Sequence, residues 1–380
     1  YGIQTWFILA MPYYVFGIIF AFFLAKRISV QKFISIPDHF HNYYGNTAGI
    51  LSALLILVIA SPAPYILSLS ILLQMFTDIS FSWSLILSIV ISLSYIWSGG
   101  LKSIIRTDIF QFILMYSGFI ILLIFCWIEY GSPIDLIDKL PPIHLDPLGG
   151  MEPQYILVWF FIAMWTFVDP GFYQRCSAVQ SPDTAKKGVL ISILFWFVFD
   201  ILTITTGLYA KAAMEVSSPL YTFPLLGNEI LPPIFFGLFL VAILSTIMST
   251  VDSLGFISAI TFGRDIMWRI KTSSTIKNEK TVQDSTHFVQ QGLFVMGFLA
   301  LLLAITIPSV VQLWYVTGSI IVPGLLIPFL VTFHNQSNLP KNIIQLMVHP
   351  VLVAIVWFIM GNITGGYPLG LEPFYPGLLT

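Results

Sequence analysis

Charge is scarce in this chain. Only 9% of its 380 residues are Asp, Glu, Lys or Arg, where a soluble domain carries about a quarter. With 57% hydrophobic residues and a mean hydropathy of +0.90, this excludes a soluble globular protein and implies a polytopic membrane protein. Cysteine is scarcer still. Cys126 and Cys176 are the two present. They fall near opposite membrane faces, so no disulfide is expected, and no metal-ligand spacing exists. No GxxxxGK[ST] loop occurs to cradle phosphates, which argues against a nucleotide-driven pump. The six histidines are scattered, and only His349 lies in an expected span. An embedded enzyme, which needs convergent nucleophile and base, is therefore disfavoured. The net charge of −2 says nothing about partners by itself, and no nucleic-acid partner or cofactor is expected. No secretory leader is visible. The chain opens on Tyr1-Gly2 and stops after Leu379-Thr380, and it reads as an internal fragment of a longer protein.

What is present in quantity is apolar sequence. Hydropathy predicts about ten spans, at roughly 4–24, 47–74, 82–97, 109–127, 155–168, 189–209, 233–262, 288–307, 311–331 and 346–361. All are expected to be helices, because lipid-exposed backbone must satisfy its own hydrogen bonds. The fold class is all-α, a single transmembrane domain over 1–380. The basic residues set its orientation. Of the 16 Lys and Arg, all but Lys139 and Lys211 fall on one alternating set of loops. That set faces inward, which puts both ends of the chain outside.

The stretch Ile243–Asp265 is the centre of the reading. It lies in the seventh span, yet it is rich in hydroxyls. Thr246, Ser249 and Thr250 sit at i, i+3 and i+4 and share one helix face. Oxygen-rich faces suit hard cations. The alternative is that small hydroxyls serve close helix packing and bond back to the backbone.

Other polar positions carry paired readings. Ser35–Asn46 is a connector with helix-start chemistry; His39 and His41, two apart, are weak metal candidates. Pro62 and Pro64 predict a kink. Gly99-Gly100 breaks a helix, and the next is expected to start near Thr107-Asp108, with Asp108 either an N-cap or a carboxylate at an inner ion mouth. The external loop 128–154 carries Glu129, Asp135, Asp138, Asp146 and Glu152 against Lys139, as a structured cap or a loose lid. The fifth span is short and ends in Trp165–Cys176. Pro170 disfavours helical geometry at Asp169, so this is either a midplane break with Trp165 and Asp169 at a pocket or gate, or a plain helix end. Asp200, mid-span, costs roughly 2.5–3.5 kcal/mol on insertion scales and so faces protein or water. Arg264 to His287 reads as a charged loop, and its polar stretch from 271 to 285 as solvated and mobile. Gln312 opens the ninth span, where it can contact a solute.

Taken together, SIPDHFHNYYG (Ser35–Gly45), SGGLKSIIRTDIFQ (Ser98–Gln111), DPGFYQRCSAVQSPDTAKKG (Asp169–Gly188) and MSTVDS (Met248–Ser253) with RDI (Arg264–Ile266) resemble the sodium/solute symporter family. That family includes sodium-coupled sugar, proline, pantothenate and iodide carriers. The resemblance implies a five-plus-five inverted-repeat core with broken helices. It equates the first span here with the second core helix and the seventh with the eighth, so the first core helix precedes Tyr1. It implies sodium as the coupling ion and a small organic solute, in a multi-pass protein of the plasma membrane. By resemblance, Ser249 and Thr250 supply sodium-coordinating hydroxyls and Thr246 a backbone carbonyl. Asp108 matches an acidic position near the inner sodium exit. Asp169 falls where sugar carriers close the pocket from inside, but Asp-Pro-Gly departs from their pattern and argues against a sugar. Gln312 lies where the tenth core helix reaches solute. Two alternatives stay open: a transporter-like solute sensor, and proton coupling through Asp200 or Asp252.

Overall fold

The computed structural model describes residues 2–97, 101–215, 219–272, 286–334 and 339–380, and among these there is no β-strand. The expected break at Gly99-Gly100 and most of the polar stretch from 271 to 285 lie outside the described residues. In chain order the helices are α1 (Met11–Phe23, preceded by a π-helical turn Thr5–Ala10), α2 (Ala25–Gln31), α3 (Ile36–Tyr44), α4 (Asn46–Ile59), α5 (Ala63–Phe76), α6 (Phe81–Ile96), α7 (Leu101–Tyr130) and α8 (Pro153–Ile162). They continue with α9 (Pro170–Ala178), α10 (Pro182–Ala213), α11 (Thr222–Ile230), α12 (Pro233–Ile260), α13 (Thr286–Thr306), α14 (Val310–His334), α15 (Ile343–Thr364) and α16 (Phe374–Leu378). Nine described stretches are long and apolar enough to cross a bilayer, and Phe81–Ser94 is a further, shorter apolar helix. The agreement with the hydropathy reading follows from physics that is local: each span carries its own backbone hydrogen bonds.

Three boundaries differ from expectation. The helix carrying Asp108 starts at Leu101, not at Thr107-Asp108. Thr107 folds its hydroxyl back onto the Ser103 and Ile104 carbonyls (3.3 and 2.9 Å) instead of capping. Hydropathy registered only the apolar part of a helix whose first turns are polar. The fifth span is broken, not short: α8 passes through a 3-10 turn at Ala163–Val168 to Asp169 and restarts as α9, so Pro153–Ala178 makes one kinked crossing of 26 residues. The loop expected from Arg264 begins instead as a π-helix, Thr261–Trp268, continuous with α12. The predicted kink near Pro62 and Pro64 is present, between Ile59 and Ala63. There the Ala60 carbonyl accepts from the Ser258 hydroxyl at 2.8 Å.

The chain divides into two compact units. The first comprises Tyr1–Met11, Tyr65–Met151 and Leu194–Ser253. Its core joins Phe119, Leu122 and Cys126 of α7 to Tyr209 of α10, Leu226 of α11 and Phe239 of α12. Gly118 brings α7 against Ala242 of α12; a side chain there would overlap the alanine methyl. The loop after α7 is a structured cap. Ser132 and Asp135 form a capping box on a 3-10 helix, Pro133–Lys139, and Leu136 and Leu140 enter the core.

The second unit comprises Pro12–Pro64, Glu152–Ile193 and Leu254–Thr380. Ser35 caps α3, accepting from the Asp38 N–H at 3.1 Å, as the helix-start reading predicted. At the far end, Gly365 is left-handed (φ 74°) and turns the chain back. Gly377 then packs against Ala354 and Pro350 of α15. The last residues therefore lie beside the middle of α15. The apolar Phe374 is fully buried there.

Candidate functional site

On α12 the three hydroxyl residues converge. The Thr246 carbonyl accepts from the Ser249 hydroxyl at 3.2 Å and from the Thr250 hydroxyl at 3.4 Å. The Thr246 hydroxyl itself bonds back to Ala242 O at 2.9 Å. One carbonyl and two hydroxyl oxygens thus form a tight group on one half-buried face. The back-bonding alternative is present in the same geometry. A hydroxyl that donates its proton to the backbone keeps its lone pairs for a cation, while the Thr246 carbonyl here accepts from both hydroxyls.

Asp252 is fully buried. Among the described residues no hydrogen bond of ordinary geometry reaches either of its carboxylate oxygens. Gln111 and Asp108 of α7 are the polar groups that act on it. Asp108 therefore sits in the third turn-length of α7, facing α12, and not at a helix start. Asp200 of α10 lies within electrostatic reach of Tyr116, whose hydroxyl donates to Phe195 O at 2.5 Å.

The remaining expected site residues belong to the second unit. Asp169 is the N-cap of α9 and accepts from the Phe172 N–H at 2.7 Å. It stands at the break, with the Arg175 guanidinium alongside Gly171. Break and helix end are one feature here, because Pro170 disfavours helical geometry at Asp169 and starts α9. Trp165, in the 3-10 turn, packs its ring against Gly318 of α14. Gln312 is exposed in the first turn of α14, its N–H directed to the Ser309 hydroxyl at 3.4 Å. It does not share the buried face of α14 that carries Tyr315, Thr317, Gly318 and Ser319.

Sequence reasoning assigned Tyr315 no partner, whereas the residue donates to Glu372 and packs against Trp159 of α8 (ring centroids 5.8 Å). It also passed over the ion cluster around Asp38, where Arg264 and Arg269 converge. No local signal pairs residues so far apart. Among the described residues no group of three or more His, Cys, Asp or Glu is placed to hold a metal. His39 instead sits in an aromatic box of Phe33, Tyr43, Phe329 and Phe333.

The helical spans, the broken crossing at Asp169 and the hydroxyl-bearing α12 define a multi-pass integral membrane protein with a carrier-type fold. The chain belongs to the sodium:solute symporter family, whose model matches residues 1–336. It is 28% identical to a sodium/pantothenate symporter of Haemophilus influenzae over 56% of this chain and 45% of that protein. It is 25% identical to the high-affinity choline transporter 1 of Drosophila melanogaster, over 96% of this chain and 60% of that one. The high-affinity proline transporter PutP of Bacillus subtilis is 24% identical over 58% of this chain and 49% of its own length. The chain thus spans roughly half of the curated relatives it matches. Its fold is shared with a structure of a Na+-coupled sialic acid symporter in a substrate-bound outward-open state, at a TM-score of 0.70 and 16% identity, covering 99% of this chain and 82% of that one.

Proposed function

We propose that this protein is a secondary active transporter that couples sodium entry to symport of a small organic solute by alternating access. The observation that carries the reading is the convergence of the Ser249 and Thr250 hydroxyls on the Thr246 carbonyl, in a helix where the family places its ion. On this reading residues 1–380 act as one transporter domain of the plasma membrane, within a five-plus-five inverted-repeat core. Ser249, Thr250 and the Thr246 carbonyl bind sodium, Asp108 lies on the ion's exit path, and Trp165 and Asp169 line or gate the solute pocket, with Gln312 at its outer edge. Sodium bound from outside orders the pocket and favours the outward form. Solute then favours closure, and release inside follows the lower sodium concentration. Coupling requires that ion and solute favour the same state. The membrane potential adds about 2.3 kcal/mol per charge per 100 mV. No covalent chemistry is required.

The test is radiolabelled uptake by the full-length protein in vesicles, with proline, pantothenate, choline, short carboxylates and sugars as solutes. Uptake that needs an inward sodium gradient, and that fails in Ser249→Ala with Thr250→Ala at equal expression, supports the proposal. Equal uptake in potassium, driven by a proton gradient and lost in Asp252→Asn, would replace sodium by a proton carried on the buried Asp252. Binding without uptake would make the protein a solute sensor.

A further inference from the structure

The four-charge cluster at the inner end of α12 belongs to no part of the ion or solute site, although it joins two of the sequence motifs. All its members lie in the second unit. Asp38 of α3 accepts from Arg264 Nη2 at 2.8 Å and from Arg269. Arg264 Nη1 also donates to Asp265 Oδ1 at 2.6 Å, and Arg269 stands 3.9 Å from the same oxygen. Arg264, Asp265 and Arg269 are buried, at 8%, 0% and 6% exposure. The distribution of basic loops places them at the inner face.

The winding of the chain makes this convergence possible. Arg264 lies within the π-helix Thr261–Trp268, and Arg269 caps it. Five residues apart on an α-helix, two side chains diverge by about 140°. With i→i+5 winding they diverge by only about 50°. The π turn therefore brings both guanidiniums to one carboxylate. Among the described residues the cluster is also incompletely satisfied. Asp265 Oδ2, Arg269 Nε and Arg269 Nη1 are buried without a hydrogen-bond partner. A half-satisfied buried network is held less firmly than a complete one, which suits a contact that has to release.

The opposite side of α3 is anchored. His39 pairs with Thr332 of α14 at 2.6 Å, and Tyr44 donates to Pro328 O at 2.8 Å. Tyr173 of α9 reaches His39 at 3.4 Å. α3 is thus bound to α14 and α9 through aromatic and neutral contacts, and to the end of α12 through the ion cluster.

We propose that Asp38 is a positioning residue that latches the inner end of α12 through Arg264 and Arg269, and that release of this latch opens the inner end when the ion leaves. The proposal rests on reading α12 as the ion helix. The helix is continuous from Pro233 through Trp268, and Ser249 and Thr250 lie on it. Beneath the latch is a water-sized cavity lined by Ser35, Ile36, Gln174, Ile257 and Thr261. It gives the opening a local reporter.

The experiment uses the full-length protein in inside-out vesicles, with Gln174→Cys as the reporter and a membrane-impermeant thiol reagent. Asp38→Asn and Arg264→Gln are expected to raise the labelling rate about tenfold in sodium. The apparent sodium constant for uptake should rise severalfold while maximal uptake changes little. Asp38→Glu, which keeps the carboxylate, should leave both readouts near the parent. A merely structural pair would lower the amount of folded protein without this split. Single variants that are folded and label at the parent's rate overturn the latch. If both fail to fold, Arg269→Lys keeps the charge and removes the fork, and unchanged labelling in that variant overturns the proposal equally. Labelling does not require coupling. A parent that shows no sodium-driven uptake would refute the symporter reading, while the labelling comparison still decides the latch.

Discussion

The His39 imidazole and the Thr332 hydroxyl lie 2.6 Å apart across 293 residues of sequence. The ring is fully buried and stacks on Phe333 at 5.0 Å. Burial pushes its pKa down to about 3, so it is neutral in the folded protein. An unfolded histidine titrates near 6.5. Below that value the unfolded chain takes up a proton that the folded chain refuses. The stability that His39 confers is therefore complete above pH 6.5 and is lost progressively as pH falls toward 3. By pH 5 the loss is about 2 kcal/mol. Thermal unfolding of the detergent-solubilised protein between pH 7.5 and 5 should show this decline, and His39→Asn should flatten it. An equally steep decline in the variant would assign the effect to other groups.

The Thr246 carbonyl with its two hydroxyls predicts a split between stability and ion affinity. Ser249 and Thr250 are half-buried and, among the described residues, bond within their own helix, so each alanine variant should unfold near the parent temperature. Losing one charge-assisted contact costs about 1.5–3 kcal/mol. The sodium concentration for half-maximal uptake should then rise at least about tenfold. A change below twofold in both variants would remove this face from the ion site.

Gly118 predicts a packing failure in the first unit. Its Cα faces Ala242, with Phe239 adjacent. Gly118→Val forces α7 away from α12 and should cost about 1–3 kcal/mol. Gly118→Val with Ala242→Gly should recover part of it. Melting temperatures of the single and double variants measure the recovery, and additivity would show that the two helices do not meet there.

Tyr315 and Glu372 predict an energetic coupling at the outer end of α14. The phenol donates to the carboxylate, and Trp357 Nε1 holds the adjacent Leu371 carbonyl at 2.8 Å. Tyr315→Phe, Glu372→Gln and the double variant form a cycle. Its coupling energy should be about 1.5–3 kcal/mol, as for a hydrogen bond to a charged group. A value near zero would leave the turned-back segment held by apolar packing alone.

Much of this protein was legible before any coordinates. Long apolar runs mark the spans because a helix in lipid satisfies its own backbone, and the bilayer sets its length. The shared face of Thr246, Ser249 and Thr250 follows from a period of 3.6. The break at Asp169 follows from one proline, since Pro170 acts on its own neighbours. Ser35 could be read as a cap for the same reason. What only the tertiary structure decided is which distant groups meet. Asp38 looked like part of a connector, yet it accepts from Arg264 and Arg269. His39 carried a weak metal reading, yet it lies in an aromatic box against Thr332. Asp108 was sought at a helix start, yet it faces Asp252 from within α7. Backbone hydrogen bonds and helical periodicity act over a few residues and are written in local order. The partner of a buried charge is chosen by packing between segments hundreds of residues apart, and only the folded chain brings those segments together.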